Sequence, residues 1–340
     1  MSKKLEILIP HYKEKADEVR PLLDSIAIQQ NVNFNEIGVI ICHDGQESYD
    51  FSFMEPGVDD GIVGDYMFPV SYPFEIKQIR QEHKGVSAAR NACLDAATAD
   101  YVMFCDADDM FAHACGLYII FREMNGKGFN ALKSVFIEET RNPETGEKIY
   151  INREMDSTFV HGKFYKRKYL KANNIRWNDN LTIHEDSYFN CLAQSMAGEV
   201  RYCTMPFYLW KWRDESVCRH DPKYILKTYN NMLESSTALV NEFLDRGKDQ
   251  EAEFYSTSMI YDAYYMMNKK EWLDQENQEY RDNTERRFKK YYLDFQDLFE
   301  KIKPETKNQI VVGMKNRFFQ EGMFLEEVTF KDWIEHIKSL

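Results

Sequence analysis

The chain has 340 residues, 44% of them hydrophobic and 29% charged, with a formal net charge of −13. That length suits a catalytic domain with an appendage, and the composition is that of a globular protein, not a disordered one. The acidic balance works against long-range attraction to nucleic acid or anionic lipid, and no run of about eighteen apolar residues offers a membrane span.

Met1-Ser2-Lys3-Lys4 leads directly into Leu5-Glu6-Ile7-Leu8-Ile9, a first strand stopped by Pro10, without the apolar core of a secretory signal. Val19, Leu22, Leu23 and Ile26 predict a helix over 16–30, with Pro21 near its first turn. Ile37–Cys42 reads as a buried second strand, ended by a turn at His43-Asp44-Gly45. Residues 50–73 carry Gly, Pro and Asp without a period and read as a long loop. A third strand over 74–79, a helix over 86–98 and a fourth strand over 101–105 follow. This alternation predicts an α/β fold with a mostly parallel, Rossmann-like sheet.

Beyond it, the pattern predicts a helix over 112–125 and a hairpin from 130–139 and 148–151 around a turn-rich linker. A helix over 185–197 and a short strand near 200–204 come next. After Pro222 period-2 alternation disappears. The segments 223–246, 250–268, 278–303 and 306–319 read as a helical appendage, so the expected division is 1–221 and 222–340. The seven cysteines (Cys42, Cys93, Cys105, Cys115, Cys191, Cys203 and Cys218) are odd in number and show no C-x-x-C pair. Reduced thiols in a cytosolic compartment fit them best.

The chemistry concentrates at strand ends, where open α/β sheets bind ligands. Asp106, Asp108 and Asp109 follow the fourth strand at once. Several like charges there resist burial unless a cation joins them, and a divalent metal bridging to phosphate oxygens suits hard carboxylates. Just upstream, Lys84 and Gly85 precede a helix start that favours anions. Arg90 can hold either a carboxylate or a phosphate. Pro10 and Tyr12 can floor a nucleobase, and Asp44 can accept from its N–H. Glu185-Asp186 reads as an acidic first helical turn, as a general base with its neighbour, or as both. Trp210 and Trp212 suit either sugar stacking or core packing.

Six segments in order carry a resemblance. Ile7-Leu8-Ile9-Pro10-His11-Tyr12 resembles the opening "IPxYN" strand of family-2 glycosyltransferases, and Cys42-His43-Asp44-Gly45 their "DDGS" turn. Gly85–Asn91 is similar to "GvsaARN", Asp106–Asp109 to "DaDD", His161–Lys166 to "wgKlyk" and His184–Phe189 to the "ED" motif. His43 departs from the pattern, standing where the family carries an aspartate. The resemblance covers about residues 5–220 and implies the GT-A nucleotide-diphospho-sugar transferase fold. It implies a metal-dependent, inverting hexosyl- or N-acetylhexosaminyl-transferase, with Mn²⁺ or Mg²⁺ and a nucleotide-sugar donor, UDP by family habit. In this reading Asp44 lies near the base, Asp106 at the ribose and metal, and Asp108 on the metal with His220 as a late ligand. Asp186 is the base with Glu185 beside it, Arg213 and Lys84 face the leaving diphosphate, and Lys163 lies toward the acceptor. The implied acceptor is a hydroxyl of a glycan or other cell-surface polymer. A modified base in DNA, or a non-catalytic nucleotide-sugar-binding protein, are the alternatives. A nucleotidyltransferase would need a Gly-rich loop after the first strand, where His11–Lys15 has no glycine. The expected location is cytoplasmic, peripheral at the membrane, with the helical part available for self-association.

Overall fold

In the computed structural model, which describes residues 3–45, 72–142, 144–213, 224–273, 278–320 and 328–340, the first apolar run is a fully buried strand, β1 (Leu5–His11). It does not stop at Pro10, which pairs with Cys42. Successive residues of a strand point their backbone groups to opposite sides. Leu8 C=O accepts from Cys105 N–H, so Pro10 also faces that side, where strand pairing has ended at Leu8. The missing N–H therefore breaks no ladder bond.

Helix α1 (Ala16–Ala27) follows. Lys15 N–H donates to Glu18 Oε2 at its start, and Val19, Leu22, Leu23 and Ile26 are buried. It is shorter than the periodicity predicts, and Pro21 lies inside it. A turn of 3-10 helix leads into β2 (Ile37–Asp44), which is buried to its end and carries His43 and Asp44 within the strand instead of a turn. Next come β3 (Glu75–Gln81), α2 (Val86–Ala96) and β4 (Tyr101–Phe104). Residues 50–71 of the expected loop lie outside the described residues.

The second half of the sheet is less regular. It comprises β5 (Met110–Phe111), α3 (Gly116–Asn125), β6 (Ala131–Arg141), β7 (Lys148–Arg153), β8 (Lys163–Lys166), α4 (Arg167–Ala172), α5 (Glu185–Ser195) and β9 (Val200–Trp210). The sheet order is β3-β2-β1-β4-β8-β6-β9-β5, with β7 paired to β6. Strands β3, β2, β1 and β4 run parallel, as do β6 and β9, and the expected hairpin is β6–β7. The sheet is mixed where the sequence predicts it mostly parallel, because β8 fits between β4 and β6 and runs antiparallel to both. β7 and β8 pair in turn with the later and the earlier part of β6, so β8 carries on the return arm of the hairpin and keeps its direction. β9 runs six residues past the predicted end at 204, because irregular register against Ser134–Phe136 lets pairing continue past Pro206. That same irregularity erases the alternation.

Contacts divide the chain into residues 1–214 and 215–340. The second unit is helical: α6 (Tyr224–Lys227), α7 (Tyr229–Asp245), α8 (Asp249–Met267), α9 (Lys270–Leu273), α10 (Gln278–Lys301), α11 (Pro304–Gln320) and α12 (Phe330–Ser339). Val240, Phe243, Ile260, Trp272, Phe288 and Ile337 are buried there. Asp262, also buried, accepts from Tyr229 Oη at 2.9 Å and Arg317 at 2.8 Å. The sequence reading missed α12, whose start is marked by Thr329 accepting from Asp332 N–H.

Candidate active site

The buried strand β4 ends in the turn Cys105–Asp109, and its three carboxylates find different partners. Asp106 accepts from Arg90 at 2.8 Å, and the same guanidinium donates to Glu185 Oε1 at 2.9 Å. Arg90 lies on α2, is 4% exposed, and covers the Trp177 ring at 4.4 Å. Burial works against its charge, but Asp106 and Glu185 raise its pKa, so it stays a fixed cation. Burial alone would raise Asp106, yet Arg90 holds it below the usual carboxylate value.

Asp108 is bound by Arg213 at 2.6 Å, and Arg213 also reaches Glu18 at 2.8 Å. Burial and the charge of Asp106 push Asp108 upward despite that arginine. Asp109 is almost wholly buried, accepting from Tyr208 Oη at 2.6 Å and Lys211 N–H at 2.9 Å. Burial, then the charges of Asp108 and Asp106, drive it well above the carboxylate range. His161 Nδ1 lies 3.7 Å from Asp109, with the imidazole packed among Phe136, Phe159, Tyr208 and Trp210.

Asp44 behaves differently. Its two oxygens accept from Gln81 Nε2, Lys84 N–H, His83 Nδ1 and Gly85 N–H, all at 2.8–2.9 Å. Four donors occupy the roughly four acceptor positions of a carboxylate, so the expected contact to a base N–H has no vacant acceptor. Asp44 instead clasps the segment before α2, where Gly85 has φ +92°, a conformation costly for any side chain. The Lys84 side chain is exposed. Pro10 is buried within β1 and presents no face to solvent, whereas Tyr12 is 41% exposed and stacks on His83 at 4.3 Å.

Helix α5 starts after His184, which adopts the left-handed φ of 63°. That bend sets Glu185 and Asp186 at the helix start, Glu185 against Arg90. Asp186 accepts from Ser187 N–H at 2.7 Å. Burial, then the charge of Glu185, raises Asp186 to about 7, and Arg90 opposes the shift. Arg90 thus ties the turn after β4 to the start of α5.

Lys163, which the resemblance sets toward the acceptor, is held inside the fold. It is 2% exposed, bonded to Asp156 at 2.9 Å and to the carbonyl of Phe159, and so fixes the loop before β8. Trp210 is half-buried beside His161, and Trp212 lies under Arg141 at 5.8 Å. His220 lies outside the described residues. Among the described residues, the side chains whose ligand atoms converge within 4.8 Å of one another are Asp106, Asp109 and His161. A cavity of about 220 Å³ lined by Lys127, Lys166, Glu199 and Arg201 holds none of the predicted site residues.

Sequence reasoning gave no role to His161, Tyr208, Trp177, Glu18 or His83. His161 heads the "wgKlyk"-like segment and was within reach. The other four lie far in sequence from the groups they hold, and no spacing marks them.

A family model described as Glycosyl transferase family 2 matches residues 6–183. The chain is 27% identical over 261 residues to the glycosyltransferase GlyA of Streptococcus pneumoniae, covering 70% of this chain and 35% of GlyA. It is 23% identical over 276 residues to EpsH of Bacillus subtilis, covering 75% of this chain and 73% of EpsH. Among solved structures it resembles S. aureus TarS 1-349 in complex with UDP-GlcNAc (TM-score 0.61, 15% identity, 95% of this chain and 93% of that one). The chain thus spans about a third of GlyA and, against a longer TarS chain, half of it.

Proposed function

The chain belongs to glycosyltransferase family 2, with a GT-A-like fold, and from that premise we propose that it moves a sugar from a nucleotide-diphosphate donor to an acceptor hydroxyl with inversion. The observation that carries the reading is the Arg90 bridge, which joins Asp106 to Glu185 beside an Asp186 poised near pH 7. A carboxylate with that pKa takes a hydroxyl proton at neutral pH more readily than an ordinary aspartate.

In this mechanism the donor lies across the strand ends of β1, β2 and β4. Tyr12 meets the base, and the Lys84–Gly85 segment meets the diphosphate. Asp106 meets the ribose. Asp186 withdraws the acceptor proton while the acceptor oxygen attacks the anomeric carbon. Glu185, neutralised by Arg90, keeps Asp186 oriented. Arg213, which pairs with Asp108 and Glu18, turns to the phosphate oxygens as charge builds on the leaving group. The bond to the diphosphate breaks as the new glycosidic bond forms, so no covalent enzyme intermediate arises.

A divalent cation fits the donor set. Three carboxylates crowd one turn, two of them with raised pKa, and all are hard oxygen ligands. Asp106 and Asp108 would hold Mn²⁺ or Mg²⁺, with Asp109 and His161 the further candidates. When bound, the cation offsets negative charge on the departing diphosphate.

UDP is the preferred nucleotide, in keeping with the UDP-GlcNAc complex of TarS. A glycan or other cell-surface polymer is the acceptor this reading favours. No helix among the described residues is long and apolar enough to cross a membrane. We place the enzyme in the cytoplasm or at its membrane face. The test is nucleoside diphosphate release from a panel of nucleotide-sugars with Mn²⁺. Release from one donor, abolished by Asp108→Ala, supports the reading. Absence of both release and binding for every donor overturns it.

A further inference from the structure

Inside the turn after β4 stands a phenol that the mechanism does not use. Tyr208 lies on β9, fully buried, opposite Phe136 on β6 and Phe111 on β5. Its Oη accepts from Asp106 N–H at 3.1 Å and donates to Asp109 Oδ2 at 2.6 Å. One oxygen thus holds the first and the last aspartate of the turn. Asp109 Oδ1 in its turn accepts from Lys211 N–H at 2.9 Å. Two residues on, Arg213 binds Asp108 at 2.6 Å and Glu18 at 2.8 Å. We propose that Tyr208 is a positioning residue that closes the aspartate turn from within and, through Asp109 and Lys211, sets Arg213 beside Asp108. This rests on the reading of the turn as the site of the cation and the donor diphosphate.

The turn needs such a tie. Its three carboxylates repel one another, and its own backbone closure, from Asp109 N–H to Asp106 C=O, is long at 3.3 Å. A hydroxyl has one hydrogen to give and lone pairs to receive with, so a single phenol can meet an N–H and a carboxylate together. Phenylalanine would fill nearly the same volume, against the His161 ring on which Tyr208 stacks at 4.8 Å. What the oxygen adds is, among the described residues, these two bonds. Neither engages a carboxylate oxygen of Asp106 or Asp108, so the phenol fixes the turn and leaves those oxygens to a ligand. β9 also holds the exit of the turn, with Leu209 opposite Met110. The same strand therefore sets both the turn and, past Trp210, the path to Arg213. A cation on Asp106 and Asp108, and an arginine that turns from Asp108 to the phosphate oxygens, both depend on that geometry.

The test is UDP affinity by calorimetry, in EDTA and in Mn²⁺. In the wild type Mn²⁺ tightens binding, and Asp108→Ala removes the gain. Tyr208→Phe is expected to cut that gain by about tenfold, as the loss of a group that orients metal ligands does, and to leave affinity in EDTA unchanged. Loss of the phenol should also weaken what Arg213 contributes. The combined loss in Tyr208→Phe with Arg213→Ala then falls short of the product of the two single losses. A role in packing alone lowers the unfolding temperature of Tyr208→Phe and leaves the Mn²⁺ gain and the product intact, and that result overturns the inference. If Tyr208→Phe does not fold, Asp109→Asn takes its place with the same expected loss. It leaves the phenol and Lys211 N–H one acceptor oxygen between them and removes a charge from the crowded turn. A wild-type gain there overturns the inference as well. A wild-type protein whose affinity for UDP and other nucleoside diphosphates ignores Mn²⁺, or that binds none of them, overturns the cation reading first, and the role of Tyr208 with it.

Discussion

Two carboxylate groups close parallel strands at the same rim of the sheet, Asp44 on β2 and the Asp106–Asp109 turn on β4, and their electrostatics are opposite. Asp44 receives four donors from one short segment and has no acceptor capacity left. The turn after β4 holds three carboxylates against two arginines, each shared with a further acid. A saturated carboxylate is architecture, because its charge is already compensated. A crowded, under-compensated set is a place where a cation or phosphate group lowers the free energy, and burial leaves two of its members with raised pKa. Aspartates at strand ends are thus not equivalent, although the sequence motif treats them alike.

The sharpest break of this contrast is at Asp186. Asp186→Asn is expected to reduce transfer by about 10²–10⁴-fold and leave donor binding unchanged, measured by turnover and by calorimetry. In the wild type the proton acceptor must be ionised, so kcat/KM rises with pH up to about 7 and then levels. The folded state binds this proton more tightly than the unfolded chain, so its contribution to stability is lost as pH rises from the ordinary aspartate value to about 7. Asp186→Asn should therefore unfold at higher temperature than wild type at pH 8, although it is the less active protein. Equal activity of the two proteins would remove Asp186 from the mechanism.

Arg90→Lys probes the bridge next. A lysine ammonium is a point charge that reaches Asp106 or Glu185 but does not span both as the guanidinium fork does. Transfer should fall by about 10–10²-fold, since misplacement of a catalytic group by an ångström costs that much. Arg90 lowers the Asp186 pKa, so weakening it should move the rising limb of the pH profile to higher pH. An unmoved limb would mean that Arg90 is structural only. Asp44→Asn is the matching test on the saturated side. The amide nitrogen would face donors that carbonyl oxygen alone cannot satisfy, at a cost of roughly 1–3 kcal/mol. Urea unfolding should show that loss, with kcat at saturating donor nearly unchanged.

How much of this was legible follows from the same physics. β1, β2 and β4 announce themselves as short apolar runs, and separate motifs single out Asp106, Arg90 and Asp186, which the fold gathers around the Arg90 guanidinium. Their polar partners did not. Asp44 looked like a base contact because a sequence shows an acceptor but not the donors that fill it. The resemblance set Lys163 toward the acceptor, and a sequence does not show that a lysine is buried. Its burial depends on Asp156 and a carbonyl brought close by a loop. β8 was missed because four residues between two strands carry too few alternations to register.

The smallest expected effect falls on Tyr12, and it tests whether the saturated side serves the donor at all. Its ring stacks on His83, whose Nδ1 donates to Asp44, so the clasp that fixes the loop before α2 also supports the aromatic platform. If the platform meets the base, Tyr12→Ala removes an aromatic contact worth about 1 kcal/mol, and donor KM rises roughly fivefold at constant kcat. Tyr12→Phe keeps the ring and should match the wild type. A fall in kcat without a change in KM would place Tyr12 nearer the reacting sugar than the base, and the division between an architectural and a reactive rim would have to be redrawn.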